Sequence, residues 1–115
     1  MTHPNIIVTR HGGATEWIRS QVRDPIALTL AHIDSTAWQR LRQLAAGRPV
    51  NVFGVLPLYW LLRLESQGMR CWALDVEMPA DRRGTEITAV ELRSLGARLR
   101  RVRVRSVALW PSVKP

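Results

Sequence analysis

Short apolar runs alternate with stretches of helical periodicity along the 115-residue chain. The first run, residues 5–9, is apolar enough for a strand buried on both faces of a sheet. Gly12 and Gly13 interrupt it, and residues 14–22 then place apolar side chains at helical spacing. The pattern predicts a strand, a glycine turn and a helix.

The same order of elements repeats through the rest of the chain. The pattern predicts further strands over residues 26–33, 50–55, 70–76 and 101–105, the last with a continuation toward Trp110. It predicts further helices over residues 36–46, from Leu56 and Pro57 through Glu65, and over 89–99. Asp34 and Ser35 fit a helix cap, and Thr88 with Glu91 fits a capping box. Alternating strands and helices indicate an α/β fold with a mainly parallel sheet flanked by helices.

Length and composition fit one compact domain spanning residues 1–115, because 115 residues leave no room for a second core. The hydrophobic share of 46% supports a globular fold. No apolar run approaches the roughly 18 residues of a membrane span, and no leader pattern opens the sequence, so a cytoplasmic protein is expected. The single cysteine, Cys71, is expected to be a small buried apolar residue.

The formal charge of +8 is concentrated near the carboxyl end of the chain. Residues 1–91 hold ten basic and nine acidic side chains, whereas residues 92–115 hold seven basic and none acidic. Arg101, Arg103 and Arg105 alternate with valine, which is typical of a strand with one solvated face; a nucleic-acid groove is the less favoured alternative. Their mutual repulsion suggests a covering partner or acidic neighbours.

Candidate chemistry lies in three loops that follow predicted strands, over residues 9–14, 54–57 and 79–86. In an open α/β sheet, ligands bind beyond the carboxyl ends of the strands, where such loops converge. The three loops are therefore expected on one edge of the sheet.

The first loop combines the ingredients of an anion site. Gly12 and Gly13 let the backbone approach a ligand, and the helix that follows offers unpaired N–H groups and a partial positive charge. Arg10 can bind phosphate in a bidentate manner, and His11 can act as a general acid or base. A strand, two glycines and a helix are also common architecture, so the turn alone leaves a purely structural role open.

The third loop places Arg82 and Arg83 beside Glu86. With the first loop, these cations suggest recognition of a phosphodiester. An ordinary solvated turn is the simpler reading of the third loop by itself. The tryptophans at positions 17, 38, 60 and 72 fall within predicted elements, so core packing is favoured over base stacking for most of them.

Arg10-His11-Gly12 after an apolar strand resembles the signature of the histidine phosphatase and phosphoglycerate mutase superfamily. Enzymes of that superfamily need a second histidine to complete the phosphate pocket. The histidines here are His3, His11 and His32, and none follows residue 32. The missing partner disfavours a phosphohistidine mechanism and a phosphomonoesterase activity.

Three motifs in order resemble one small family of type III CRISPR-associated proteins, the sixteenth family of the Csx series. They are T-R-H-x-G-A-x-x-W at Thr9–Trp17, V-x-G-x-L-P at Val52–Pro57, and P-x-x-x-R-G-x-E-[IL] at Pro79–Ile87. The resemblance implies an ancillary ring nuclease with a Rossmann-like, CARF-related fold. Such a protein degrades a cyclic oligoadenylate messenger, here expected to be cyclic tetra-adenylate, and switches off the signalling.

The implied chemistry is attack of a ribose 2′-hydroxyl on the adjacent phosphorus, without a metal or another cofactor. We hypothesise that Arg10 and the Gly12 and Gly13 amides hold phosphate, that His11 transfers a proton, and that Arg82 or Arg83 neutralises developing charge. His11, Arg10 and Arg83 are the candidate catalytic residues. The candidate ligand-binding residues are Thr9, Gly12, Gly13, Trp17, Gly54, Leu56, Pro57, Arg82 and Glu86.

The expected partners are a cyclic oligoadenylate and a second copy of the chain, because a cyclic ligand matches the symmetry of a two-fold homodimer. A protein that sequesters the messenger without cutting it is the second hypothesis. A general RNA-binding role through residues 98–105 is the least favoured.

Overall fold

The computed structural model describes residues 3–30 and 32–111. Its strands are β1 (Asn5–Thr9), β2 (Ile26–Thr29), β3 (Asn51–Gly54), β4 (Arg70–Asp75) and β5 (Arg98–Val102). Its α-helices are α1 (Gly12–Gln21), α2 (Ser35–Ala45), α3 (Leu58–Ser66) and α4 (Ala89–Ser94), and a 3-10 turn covers Ala80–Arg82. None of the helices in these residues is long and apolar enough to cross a bilayer.

The strands form one sheet in the order β2-β1-β3-β4-β5. The first four are parallel, and β5 runs antiparallel to β4. The prediction of an α/β domain with a mainly parallel sheet is confirmed, and the arrangement is compatible with a Rossmann-like fold. The carboxyl ends of the parallel strands share one edge, called here the carboxyl edge. The strand order reverses between β1 and β3, which places a topological switch point there.

Helices cover both faces of the sheet. Helices α2 and α3 pack on the face that carries Ile6 and Val8 of β1, whereas α1 and α4 pack on the face that carries Ile7. All three β1 side chains are fully buried. Because successive strand residues point to opposite faces, a continuous apolar run is what a sheet covered on both sides requires.

The tryptophans mostly build these two cores. Trp38 and Trp60 meet edge to face with ring centroids 5.2 Å apart, and Trp17 is buried on the opposite face. Trp72 is only partly buried and stacks on Phe53. Core packing is therefore confirmed for Trp17, Trp38 and Trp60.

Cys71 lies on β4 and is buried against α3, as predicted. Burial raises the pKa of its thiol to about 11, because a thiolate would lose its hydration there. The thiol therefore stays protonated and unreactive at neutral pH.

Both predicted helix caps are present. The Asp34 side chain accepts a hydrogen bond from the Ala37 N–H at 3.1 Å, which caps α2. The Thr88 hydroxyl accepts from the Glu91 N–H, and the Glu91 carboxylate accepts from the Thr88 N–H. The second pair is a reciprocal capping box at the start of α4.

The predicted helix over 89–99 and strand over 101–105 are wrong in their bounds. Helix α4 already ends at Ser94, because Gly96 adopts a φ of +74° and turns the chain back. Strand β5 therefore begins at Arg98 and ends at Val102, and residues 103–111 have no regular secondary structure. The predicted strand over 26–33 also ends early, at Thr29, and residue 31 lies outside the described residues.

Candidate functional site

The turn between β1 and α1 holds His11 by its backbone. The Thr9 side chain is buried, and its hydroxyl accepts a hydrogen bond from the His11 N–H at 3.0 Å. The His11 carbonyl accepts hydrogen bonds from the Thr15 N–H and hydroxyl, at 3.0 and 3.1 Å. His11 is thus fixed as the N-cap of α1, while its side chain remains half exposed at the carboxyl edge.

The N-terminus of α1 carries uncompensated positive potential. His11 makes no side-chain capping bond, and the first turn contains no acidic residue. The N–H groups of Gly12, Gly13 and Ala14 are among those that a helix leaves without an intrahelical partner. Together with the helix dipole, they favour an anion beside His11.

Two glycines let the backbone segments of the carboxyl edge come together. A Cβ at Gly13 would lie 1.9 Å from the Ile87 carbonyl oxygen. A Cβ at Gly54 would lie 1.9 Å from the Val8 carbonyl oxygen. No real Cβ tolerates such a distance, so the contact between α1 and the loop before α4, and that between the ends of β1 and β3, both require glycine.

A pocket of about 550 Å³ opens at this edge, between α1, the end of β4 and the loop over residues 78–87. Its apolar walls are formed by Ala14, Val55, Leu74, Val76, Met78, Ile87 and Leu92. The other lining residues are His11, Arg82, Arg83, Gly84, Thr85 and Glu86. A largely apolar cavity of this size with a few polar groups is typical of a small-ligand site.

Arg82 anchors the loop that forms one side of the pocket. Its guanidinium forms an ion pair with Glu91 and donates a hydrogen bond to the Glu86 carbonyl at 3.3 Å. The Thr85 hydroxyl in turn donates to the Arg82 carbonyl. Arg82 therefore ties residues 82–86 to the capping box of α4, and much of its charge is compensated.

Arg83 differs from its neighbour, because its exposed side chain has no hydrogen-bond or ion-pair partner among residues 3–30 and 32–111. Across the pocket, the His11 Nδ1 atom lies 3.8 Å from a carboxylate oxygen of Glu86. Glu86 is 77% exposed, so water can reach this pair. The pocket thus combines an uncompensated cation with a half-exposed histidine.

The structure brings four of the predicted site residues into the pocket: His11, Arg82, Arg83 and Glu86. The other predicted residues do not line it: Thr9 and Gly54 are buried, Gly13, Leu56 and Pro57 are half-buried, and Arg10 and Gly12 are exposed at the same edge. Trp17 is only 3% exposed and packs in the core, so no face of its ring is open to a ligand.

The apolar walls are the part of the site that the motifs did not identify. Leu74 lies near the end of β4, Val76 directly follows that strand, and Met78 lies in the next loop. In the sequence, the apolar end of β4 was the signal that could have identified these walls. Such an end is ordinarily covered by a helix, whereas here Leu74 and Val76 remain only partly buried and line the pocket.

These features define a small Rossmann-like α/β protein with a ligand-sized pocket at the carboxyl edge of its parallel strands. Within the described part of the chain, no group of three or more His, Cys, Asp or Glu side chains is arranged to hold a metal ion. The pocket's polar groups are instead suited to an anionic ligand with an apolar portion.

Residues 6–105 match the protein family described as "Putative CRISPR-associated protein (Cas_VVA1548)". The chain belongs to this CRISPR-associated family, since the match spans most of its length. The family's name specifies neither an activity nor a ligand. No curated protein and no solved structure matches the chain.

Gly13→Ala should destabilise the fold, because its Cβ would collide with the Ile87 carbonyl. We expect the free energy of unfolding to fall by about 1–3 kcal/mol, the usual cost of overpacking. Gly12→Ala is the matched control in the same turn, because a Cβ there meets nothing within 4 Å. Urea denaturation of both variants measures the difference, and equal stabilities would contradict the close approach.

Acidification should weaken the capping box and the loop that it holds. Hydrogen bonding by the Thr88 N–H, with further contributions from its hydroxyl and Arg82, holds the pKa of Glu91 below its usual value. The stabilisation by Glu91 is present above the pKa of the unfolded chain and is lost as pH falls through the lowered folded value. The thermal midpoint of wild type should therefore drop more steeply with acidification than that of Glu91→Gln.

Glu16→Gln is the control, because the Glu16 side chain is exposed and makes no hydrogen bond or ion pair with the described residues. Its thermal midpoint should follow the wild-type dependence on pH. Identical pH profiles for wild type and Glu91→Gln would show that the capping carboxylate does not stabilise the loop.

Proposed function

We propose that the protein is a metal-independent ring nuclease that binds and cleaves a cyclic oligoadenylate, with cyclic tetra-adenylate as the expected ring. Membership of a CRISPR-associated family supports a role in CRISPR defence. The three motifs that resemble ancillary ring nucleases supply the substrate class, and cleavage would switch off type III signalling. The observation that carries the proposal is a single pocket that combines His11, Arg83 and apolar walls and adjoins the open N-terminus of α1.

Each part of the pocket suits one part of a nucleotide. Leu74, Val76 and Met78 offer an apolar surface for a base. The first N–H groups of α1 and the Arg83 guanidinium can hold a phosphate, the helix through its dipole and the arginine through charge-assisted hydrogen bonds. Arg82 is committed to Glu91 and serves mainly to hold the loop.

The reaction is an in-line displacement at phosphorus. The ribose 2′-oxygen forms a bond to the adjacent phosphorus while the bond from phosphorus to the 5′-oxygen breaks. The products are a 2′,3′-cyclic phosphate and a 5′-hydroxyl, so the proton lost by the 2′-hydroxyl is balanced by the proton that the 5′-oxygen gains. His11 is the proton-transfer group, and Arg83 stabilises the extra charge on phosphorus.

A homodimer would complete the arrangement. One pocket of about 550 Å³ accommodates a portion of a cyclic tetranucleotide, and a two-fold pair of subunits would offer two equivalent pockets to a symmetric ring. Val55 of the pocket wall and Leu58 and Tyr59 of α3 are exposed, and they provide apolar surface for such a contact.

A protein that sequesters the messenger without cleaving it is the second candidate. The half exposure of His11 and its water-accessible neighbour Glu86 favour it, because proton transfer works best in a site that excludes water. The same pocket would hold the ligand in both cases.

Purified protein incubated with labelled cyclic tetra-adenylate and EDTA separates these functions. We expect linear products that end in a 2′,3′-cyclic phosphate, resolved by chromatography. Tight retention of intact ring would establish the sequestering function instead. If the protein neither cleaved nor retained the ring, both functions would be refuted.

Substitutions in the pocket test the assigned roles. His11→Ala should lower the single-turnover rate about a hundredfold or more, the usual effect of losing a general acid or base. Arg83→Gln should weaken binding and slow cleavage, whereas Arg40→Gln, an equal charge change on exposed α2 surface, should do neither. Wild-type cleavage by His11→Ala would exclude His11 from proton transfer, and an effect of Arg10→Gln would place Arg10 on the ligand despite its position outside the pocket.

A further inference from the structure

A second charged surface lies on β5 and residues 103–111, together called here the basic edge. Two of its arginines are neutralised within the fold. Arg100 donates to the Asp75 carboxylate at 2.9 and 2.7 Å, and Arg103 donates to Glu65 at 2.9 Å. These pairs attach the basic edge to β4 and α3.

Three other arginines of the basic edge remain uncompensated. Arg98, Arg101 and Arg105 are exposed, and no carboxylate in residues 3–30 and 32–111 lies within 4 Å of their nitrogen atoms. The Arg101 guanidinium donates only to the backbone carbonyls of Cys71 and Val102, which leaves its charge unbalanced. The basic edge therefore carries three free cations along an extended segment.

The end of the same segment presents an aromatic side chain to solvent. Trp110 is 90% exposed, in contrast to the buried Trp17, Trp38 and Trp60. Val107 and Leu109 beside it are exposed to a similar degree. Exposure of a whole indole ring has no role in this fold, and it suits contact with a partner.

The charge of β5 disfavours a second copy of the chain as that partner. Among the residues that the structure describes, β5 pairs only with β4 and so forms one edge of the sheet. Antiparallel pairing of two β5 strands would bring the arginines of one copy, Arg98, Arg100 and Arg101, close to those of the other. Like charges directly opposite destabilise a sheet, and charged edge strands resist such pairing. The basic edge is therefore complementary to an anion.

We propose that the basic edge binds single-stranded nucleic acid. Guanidinium groups bind phosphate in a bidentate manner. Arg98 and Arg101 lie on opposite faces of the edge strand, about 10 Å apart along it, so both can reach a linear polyanion that follows the open edge of the sheet. Trp110 supplies a ring on which an unpaired base stacks, as in proteins that bind single strands. Membrane-surface segments are typically amphipathic helices, whereas residues 103–111 form no helix.

This surface is independent of the pocket. Strand β5 begins opposite Asp75, at the carboxyl edge, and runs to Val102 opposite Cys71. Residues 103–111 therefore leave the sheet beside the amino ends of the parallel strands, away from the carboxyl edge. None of the residues of the basic edge lines the pocket. Binding here thus does not rest on the proposed ring cleavage.

Fluorescence anisotropy with a labelled 20-nucleotide oligouridylate, measured from 50 to 200 mM salt, tests the proposal. The triple variant Arg98→Gln, Arg101→Gln, Arg105→Gln should bind more weakly, and its plot of log K against log salt should be shallower by about 2, since each phosphate contact contributes about 0.7. The control Arg19→Gln, Arg40→Gln, Arg42→Gln removes the same charge from exposed helix surface and should keep the wild-type slope. Equal slopes for the two triple variants would overturn the proposal.

Trp110→Ala should weaken binding about fivefold or more, and wild-type tryptophan fluorescence should be quenched by the oligonucleotide. Duplex RNA should bind less well, because its bases are already stacked. Recognition of a single strand would be overturned if Trp110→Ala bound with unchanged affinity, or if duplex RNA bound equally well. It would also be overturned if the protein bound phosphatidylglycerol vesicles but not the oligouridylate. His11→Ala should bind like wild type, which separates this result from the fate of the proposed nuclease.

Discussion

Close packing of backbone against backbone is the constraint on which the carboxyl edge depends. At Gly54, the Val8 carbonyl occupies the volume of a side chain, and at Gly13 the Ile87 carbonyl does the same. The first contact draws the ends of β1 and β3 together at the switch point. The second seats the loop before α4 against the first turn of α1. Without these approaches His11 and Glu86 would not face one pocket, because they belong to elements separated by most of the chain.

The fold was largely predictable because its local signals agree. An apolar run in β1 and caps at Asp34 and Thr88 each indicate the element that the structure contains. Gly12 and Gly13, predicted as a turn, instead belong to the first turn of α1. The largest error fell at residues 95–102, where Leu95 and Leu99 fit helical spacing as well as a strand. Gly96 adopts a left-handed conformation, which ends the helix and allows β5 to begin at Arg98. The pairing of β5 with β4 is a long-range contact, which the local spacing of apolar residues does not predict.

The site was predictable only in part. The position of His11 and of the arginine loop followed from the rule that ligands bind beyond strand ends. The different roles of Arg82 and Arg83 did not, because adjacent residues of one type look alike in sequence. The difference comes from Glu91, a capping residue whose carboxylate also reaches Arg82. The apolar walls depend on how much of the end of β4 is left uncovered, which is a property of tertiary packing.

The ion pair between Arg82 and Glu91 has a further consequence for recognition. It couples the folding of α4 to the ordering of the loop, so the pocket wall is preorganised before any ligand arrives. Ordering a loop during association costs conformational entropy, and a wall that is already ordered avoids most of that cost. A ligand of this pocket would therefore meet an ordered wall, and its affinity would depend on the contacts within the pocket rather than on loop closure.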